Sequence, residues 1–206
     1  MGRTPDLAGH TPALNFAPAL LLRAQGVKVA FFDVDGVLTD GGLYFGGPAA
    51  VNEQALAGAA YGSAVETLKR FSVLDGHGLK LLQKAGITPA VITGRDSPVL
   101  RARLQALGIT HAHFGTEAKL AAAQVTLDAL GLDWGQVAAM GDDWPDLPVM
   151  RRAAICCAPA NAHAEVRAVA HHITQLPGGH GAAREFCDLL VVASGRYADL
   201  LSEYLQ

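Results

Sequence analysis

The stretch Val27–Gly42, VKVAFFDVDGVLTDGG, sets two carboxylates two residues apart, directly after an apolar run and directly before a glycine. In an extended strand the side chains at i and i+2 share a face, so Asp33 and Asp35 are expected to emerge together at the strand's carboxyl end. Such a pair repels itself unless a cation, a proton or hydrogen-bond donors stand nearby. The carboxyl ends of strands in an open α/β sheet are also where ligands collect.

Outward from this stretch, further short apolar runs recur at 87–93 (ITPAVIT), 110–114 (THAHF), 136–141 (QVAAMG) and 153–158 (AAICCA). Helix-like segments separate them: Val99, Leu100, Leu104 and Leu107 repeat at helical spacing, as do Leu120, Val125, Leu127 and Leu130, the latter stopped by Gly131. Nearly continuous apolar strands alternating with helices predict an α/β fold, a Rossmann-like three-layer sandwich around a central parallel sheet. The glycine- and alanine-rich segment at about 41–71 breaks the rhythm. It reads as a β-hairpin insertion with a long mobile tip, its strands at LYF (43–45) and ETLKRF (66–71), and it is too small to form a cap domain. Residues 1–26 read as a loose arm, 27–206 as one domain, and the tail at about 177–206 as one or two helices.

The 206 residues are half hydrophobic, which suits one domain with a substantial core, and the net charge of −3 is spread along the chain. Small molecules are therefore expected as partners, with neither nucleic acid nor membrane. Three cysteines, Cys156, Cys157 and Cys187, make neither a disulfide framework nor a CxxC metal site and read as buried apolar residues. No apolar run reaches the roughly 20 residues that span a bilayer, and the start lacks the pattern of a signal peptide, so a reducing cytoplasm is the expected compartment.

The chemistry collects at the strand ends. The first strand delivers Asp33 and Asp35; the second Thr93, Gly94 and Arg95; Lys119 opens the helix after the third; the fourth delivers Asp142, Asp143 and, one turn on, Asp146. A hard divalent ion such as Mg²⁺ takes one or two carboxylates together with substrate phosphate, which suits Asp33 and Asp142. Asp33 is placed to attack phosphorus and form an aspartyl-phosphate, and Asp35 to act as acid and then base. Thr93, the Gly94 amide and Lys119 are expected to bind phosphoryl oxygens, and Gly36 lets the chain turn sharply beside them. The histidines show no zinc spacing, and no dinucleotide-binding glycine fingerprint follows the first strand. Gly178 and Gly179 read as a flexible joint before the last helix.

In this order the motifs FFDVDGVLTDG (31–41), VITGR (91–95), Lys119 and GDDWPD (141–146) resemble those of the haloacid dehalogenase-like phosphatases. The resemblance runs over about residues 27–195. It implies Asp33 as nucleophile, Asp35 as acid/base, and Mg²⁺ held by Asp33, the Asp35 carbonyl and Asp142, with Asp143 or Asp146 steadying the site. More narrowly, LTDGGLYF (38–45), KRFSVLDGHGLK (69–80), GITPAVITGRDS (86–97) and PGGHGAAREFCDLL (177–190) resemble nearly capless members that act on an eight-carbon sugar-acid phosphate in the supply of lipopolysaccharide precursors. Those members assemble as homotetramers, one subunit's hairpin or tail closing its neighbour's site. By position, Ser72, Val73, Leu74, Asp75, Gly76, Lys80, Arg95 and Arg103 would contact substrate, Arg184 would reach an adjoining site, and His77 is a further candidate. Leu74 stands where such members often carry arginine, and the hairpin tip is longer than theirs. The alternatives are a nine-carbon keto acid phosphate or other sugar phosphate as substrate, and, in a different class, a receiver-like phosphoacceptor regulator.

Overall fold

The computed structural model describes residues 13–45 and 66–205. Six parallel strands form the central sheet in the order β5-β4-β1-β6-β7-β8, with β1 at Val29–Phe32, β4 at Thr88–Ile92, β5 at His111–His113, β6 at Val137–Met140, β7 at Ile155–Ala158 and β8 at His172–Ile173. Five of these fall in the five runs read from sequence; β8, only two residues long, carries too little apolar pattern to be seen. A separate antiparallel pair, β2 (Tyr44–Phe45) with β3 (Glu66–Leu68), forms the base of the expected hairpin, whose tip lies outside the described residues.

Strand β1 alternates sides. Ala30 and Phe32 face one core with Leu79, Leu82, Leu100, Leu104 and Phe186, while Val29 and Phe31 face the other with Ala123, Leu127, Val149, Met150 and Val166. The first layer is built by α1 (Pro18–Ala24), α2 (Val73–Lys84), α3 (Pro98–Leu107) and α7 (Ala182–Ala193); the second by α4 (Lys119–Leu130), α5 (Leu147–Met150) and α6 (Ala164–Val169). A short α8 (Tyr197–Ser202) follows α7. Phe32 and Phe186 are both buried and meet edge to face at 6.2 Å, the sort of core pair whose truncation to alanine costs about 3–5 kcal/mol.

Local chemistry explains where the helices begin and end. Ser97 caps α3, its Oγ accepting from the Leu100 N–H at 3.3 Å, with Pro98 in the first turn, and α4 stops at Gly131 in the left-handed region as expected. Two expectations fail. The arm is not loose throughout: over Pro18–Ala24 it is a helix against α7, and Arg23 donates to the Ala154 carbonyl at 3.1 Å. In α4, Val125 faces solvent, and Ala122, Ala123 and Thr126 join Leu127 in packing, because small residues let this helix lie close to the sheet.

The three cysteines are free and buried, and burial pushes the thiols of Cys157 and Cys187 well above their usual range. No helix among the described residues is long and apolar enough to cross a membrane.

Candidate active site

The strand order reverses at β1, since the chain leaves it for β4 on one side and later returns to β6 on the other. A crevice therefore opens at the carboxyl ends of these three strands. Asp33 follows β1 directly, its N–H donating to the Met140 carbonyl at 3.0 Å. The chain then folds into a tight turn, in which the N–H groups of Val37, Leu38 and Thr39 all donate to the Val34 carbonyl. Asp35 thus reaches the crevice on a turn rather than on the face of an extended strand, a correction to the pleat argument. At Gly36, with φ +92°, a Cβ would lie 2.1 Å from Asp142 Oδ2, so the nucleophile turn and the β6 loop meet where no side chain fits.

Four charged groups interlock behind that contact. Lys119 Nζ donates to Asp33 Oδ1 and to Asp146 Oδ1, each at 2.6 Å, and all three residues are buried. Asp146 Oδ2 accepts the N–H groups of Asp142 (3.0 Å) and Asp143 (3.3 Å), which folds the GDDWPD loop back on itself. One ligand atom each from Asp33, Asp142 and Asp146 lies within 4.8 Å of the others. Burial, then the nearby Asp146 charge, pushes the Asp33 carboxyl up to about 7 against the pull of Lys119. Burial, then Asp33 and Asp146, pushes Asp142 up to about 8. Burial works against the Lys119 ammonium, but Asp33 and Asp146 outweigh it and hold its pKa above the ordinary value.

The donor set fits a hard divalent cation. Three carboxylates face one ammonium, so full ionisation would leave two negative charges uncompensated, and the buried Asp142 Oδ1 has no hydrogen-bond partner among the described residues. An orphaned buried carboxylate oxygen is costly unless something binds it. Asp143 stands apart from this set: it is exposed and caps the following turn by accepting from the Trp144 N–H at 2.8 Å. Of the two expected supports, the structure brings only Asp146 into the cluster.

Thr93 is buried at the end of β4, its Oγ accepting from the Arg95 N–H at 3.2 Å, which turns the chain so that Gly94 lies open to solvent. Lys119 opens α4 as expected. The cation that sequence reasoning missed is Lys69. It follows β3 with its side chain fully buried, and its ammonium pairs with Asp35 Oδ1, while Arg95 Nε lies 3.9 Å from Asp35 Oδ2. Lys69 was hidden in a glycine- and alanine-rich segment; its only signal was a position at the end of the hairpin's returning strand.

The expected substrate residues divide. Val73, Leu74 and Lys80 are exposed on α2, and Ser72 caps that helix with Oγ accepting from the Asp75 N–H at 3.4 Å. Asp75 is buried and turned inward, its carboxylate accepting the N–H groups of Arg184 (2.8 Å) and Gly181 (3.2 Å). Arg103 packs over Gly76 and donates to the Ser72 carbonyl at 3.2 Å, fixing the start of α2. Arg184 is engaged by Asp188 one turn on, at 2.8 Å, and lines a cavity of about 170 Å³ with His77, Tyr197 and Tyr204. His77 meets the Tyr204 ring edge-on at 5.7 Å. Asp75, Gly76 and Arg103 are thus occupied in holding helices together and the Arg184 side chain pairs within its own helix, while Arg95 alone of the expected extra cations reaches an acid of the crevice.

Comparison with known proteins identifies the family. Residues 115–186 match a model of the haloacid dehalogenase-like hydrolase family. The 3-deoxy-D-manno-octulosonate 8-phosphate phosphatase of Yersinia pestis is 37% identical over 180 residues, covering 87% of this chain and 88% of the relative. A crystal structure of a probable phosphatase of the YrbI family from Pseudomonas syringae superposes with a TM-score of 0.81 at 43% identity, over 92% of this chain and 99% of that one. The corresponding Moraxella catarrhalis phosphatase, solved with a magnesium ion, a phosphate ion and a KDO molecule, superposes with a TM-score of 0.79 at 34% identity, over 90% and 98% of the two chains. This chain belongs to the haloacid dehalogenase-like hydrolases, in the branch of the 3-deoxy-D-manno-octulosonate 8-phosphate phosphatases.

Proposed function

We propose that this phosphatase hydrolyses 3-deoxy-D-manno-octulosonate 8-phosphate to the free sugar acid and phosphate, with Asp33 and Asp35 as its reacting carboxylates. The observation that carries the reading is the Asp33 carboxylate at the end of β1, bridged to Lys119 at 2.6 Å and grouped with an Asp142 whose buried oxygen lacks a partner. An Asp33 oxygen attacks phosphorus as the bond to the sugar oxygen breaks, and the departing oxygen takes a proton from the Asp35 carboxyl. Asp35, now a carboxylate, takes a proton from water, whose oxygen attacks the same phosphorus and displaces Asp33. Lys119 offsets charge on the phosphoryl oxygens, Thr93 and the Gly94 N–H orient them, and Lys69 and Arg95 hold Asp35 in place. Mg²⁺ held by Asp33, the Asp35 carbonyl and Asp142, with Asp146 in support, would offset the two negative charges that full ionisation of the cluster leaves and so admit a phosphate dianion.

We also propose that four copies assemble and that the enzyme works in the cytoplasm. The exposed apolar side chains Leu43 and Leu68 at the hairpin base, with Val73 (81% exposed) and Leu74 on α2, support an interface there, and three free thiols suit a reducing compartment. The test is phosphate release by the purified protein with Mg²⁺ from eight- and nine-carbon sugar-acid phosphates. A higher kcat/KM for the eight-carbon compound is expected; a preference for the nine-carbon compound reassigns the substrate, and no release from either overturns the reading.

A further inference from the structure

We infer that Asn161 is a positioning residue, which holds the Gly178–Gly179 segment as a fixed seat beneath the turn carrying Asp35 and Gly36. The inference rests on the phosphatase chemistry of Asp33 but not on the identity of the sugar. After β7 the chain forms a loop at the crevice edge, and the His163 N–H at its end donates to the Asp142 carbonyl at 2.8 Å. Within this loop Asn161 Oδ1 accepts the Gly178 N–H at 2.8 Å, and its Nδ2 lies 3.5 Å from the Gly36 carbonyl oxygen.

Backbone meets backbone at the seat. The Gly179 N–H donates to the Val37 carbonyl at 2.9 Å, and a Cβ at Gly178 would stand 1.8 Å from the Gly36 oxygen and 2.4 Å from its carbonyl carbon. No flexible side chain is there to yield, so the separation of the two segments is set by main-chain contact. The seat's far end is fixed by Asp75, which accepts from Gly181 and Arg184, and its flank by Arg70, which donates to the Gly179 carbonyl at 2.9 Å. On its other side Gly36 abuts Asp142. A seat released by Asn161 lets the turn move away from Asp142, and Asp35 moves with it. This corrects the reading of the glycine pair as a flexible joint.

The test compares Asn161→Ala with Asn161→Asp, which keeps the acceptor of the 2.8 Å bond from the Gly178 N–H and gives up only the weak 3.5 Å contact with the Gly36 carbonyl. With p-nitrophenyl phosphate and the sugar-acid phosphate assayed side by side, Asn161→Ala is expected to lower kcat about fivefold with KM within about twofold, and Asn161→Asp to stay near wild type. Hydrogen exchange in metal-free protein gives a second readout: Asn161→Ala speeds exchange in peptides spanning 36–40 and 177–181, and Asn161→Asp does not. Wild-type kcat in Asn161→Ala, equal losses in both variants, or unchanged exchange overturns the inference. Failure of the wild-type protein on the sugar-acid phosphate alone counts against the substrate assignment and leaves this one standing on the p-nitrophenyl phosphate data.

Discussion

The acid cluster and the exposed face of α2 are built by opposite means. Asp33, Lys119 and Asp146 are buried, each tied to a neighbour at 2.6 Å, and Asp142 is held between Gly36 on one side and its own loop on the other. Val73, Leu74 and Lys80 project from α2 into solvent. Pre-organised charge in a dry setting accelerates a reaction, whereas exposed side chains gain specificity only when a substrate or a second subunit covers them. On the proposed mechanism the reacting acids all come from one chain.

The sharpest way to break this contrast is Asp33→Asn, expected to lower phosphate release by at least about 10³-fold with the circular-dichroism spectrum unchanged; residual turnover near wild type would place the nucleophile elsewhere. Lys69→Met tests whether the hairpin belongs to the core machinery. It should lower kcat about 10- to 100-fold on the sugar-acid phosphate, where Asp35 serves as acid and then as base, and less on p-nitrophenyl phosphate, whose leaving group needs no proton but whose phosphoenzyme still needs the base; unchanged turnover on both would argue against a role through Asp35.

The cluster's electrostatics give a third measurement. Asp33 and Asp142 hold protons more tightly folded, at about 7 and about 8, than at the ordinary 3.8 of an unfolded chain. The folded state binds more protons through that window, so metal-free protein loses stability as pH rises from about 4 to about 8. Its Tm should fall between about pH 5 and about pH 8, and added Mg²⁺ should raise Tm more at the upper end. A Tm that climbs across this range without metal would contradict the packing of these acids. The smallest effect is expected on α2: if Leu74 faces the bound sugar acid as the resemblance implies, Leu74→Arg should lower KM for the sugar-acid phosphate about threefold by adding a cation for its carboxylate, leaving p-nitrophenyl phosphate untouched.

Sequence made the cluster legible because each of its members stands at the end of an apolar strand or the start of a helix, where periodicity fixes position. Asp33, Thr93, Lys119 and Asp142 are where that logic put them. It failed where the partner is distant in sequence and the local signal is weak. Lys69 meets Asp35 across 34 residues, and Asp75 meets Gly181 across 106. The pleat argument for Asp35 failed for a different reason: the strand ends at Phe32, and the turn closed on the Val34 carbonyl has begun before the chain reaches Asp35. An acid beside a helix start, as at Asp75, reads equally well as a ligand contact or as a cap for another helix, and only the fold decides.

The three unpaired cysteines offer a practical handle. Cys157 and Cys187 sit in the layer beside Phe186, and Cys156 on the opposite side of the sheet, all closed to reagents while the chain is folded. Alkylation of each sulfur can therefore proceed only as fast as its own side of the molecule comes apart. Mass spectrometry of timed labelling would tell whether the two layers open together or one after the other, with no probe engineered into the protein.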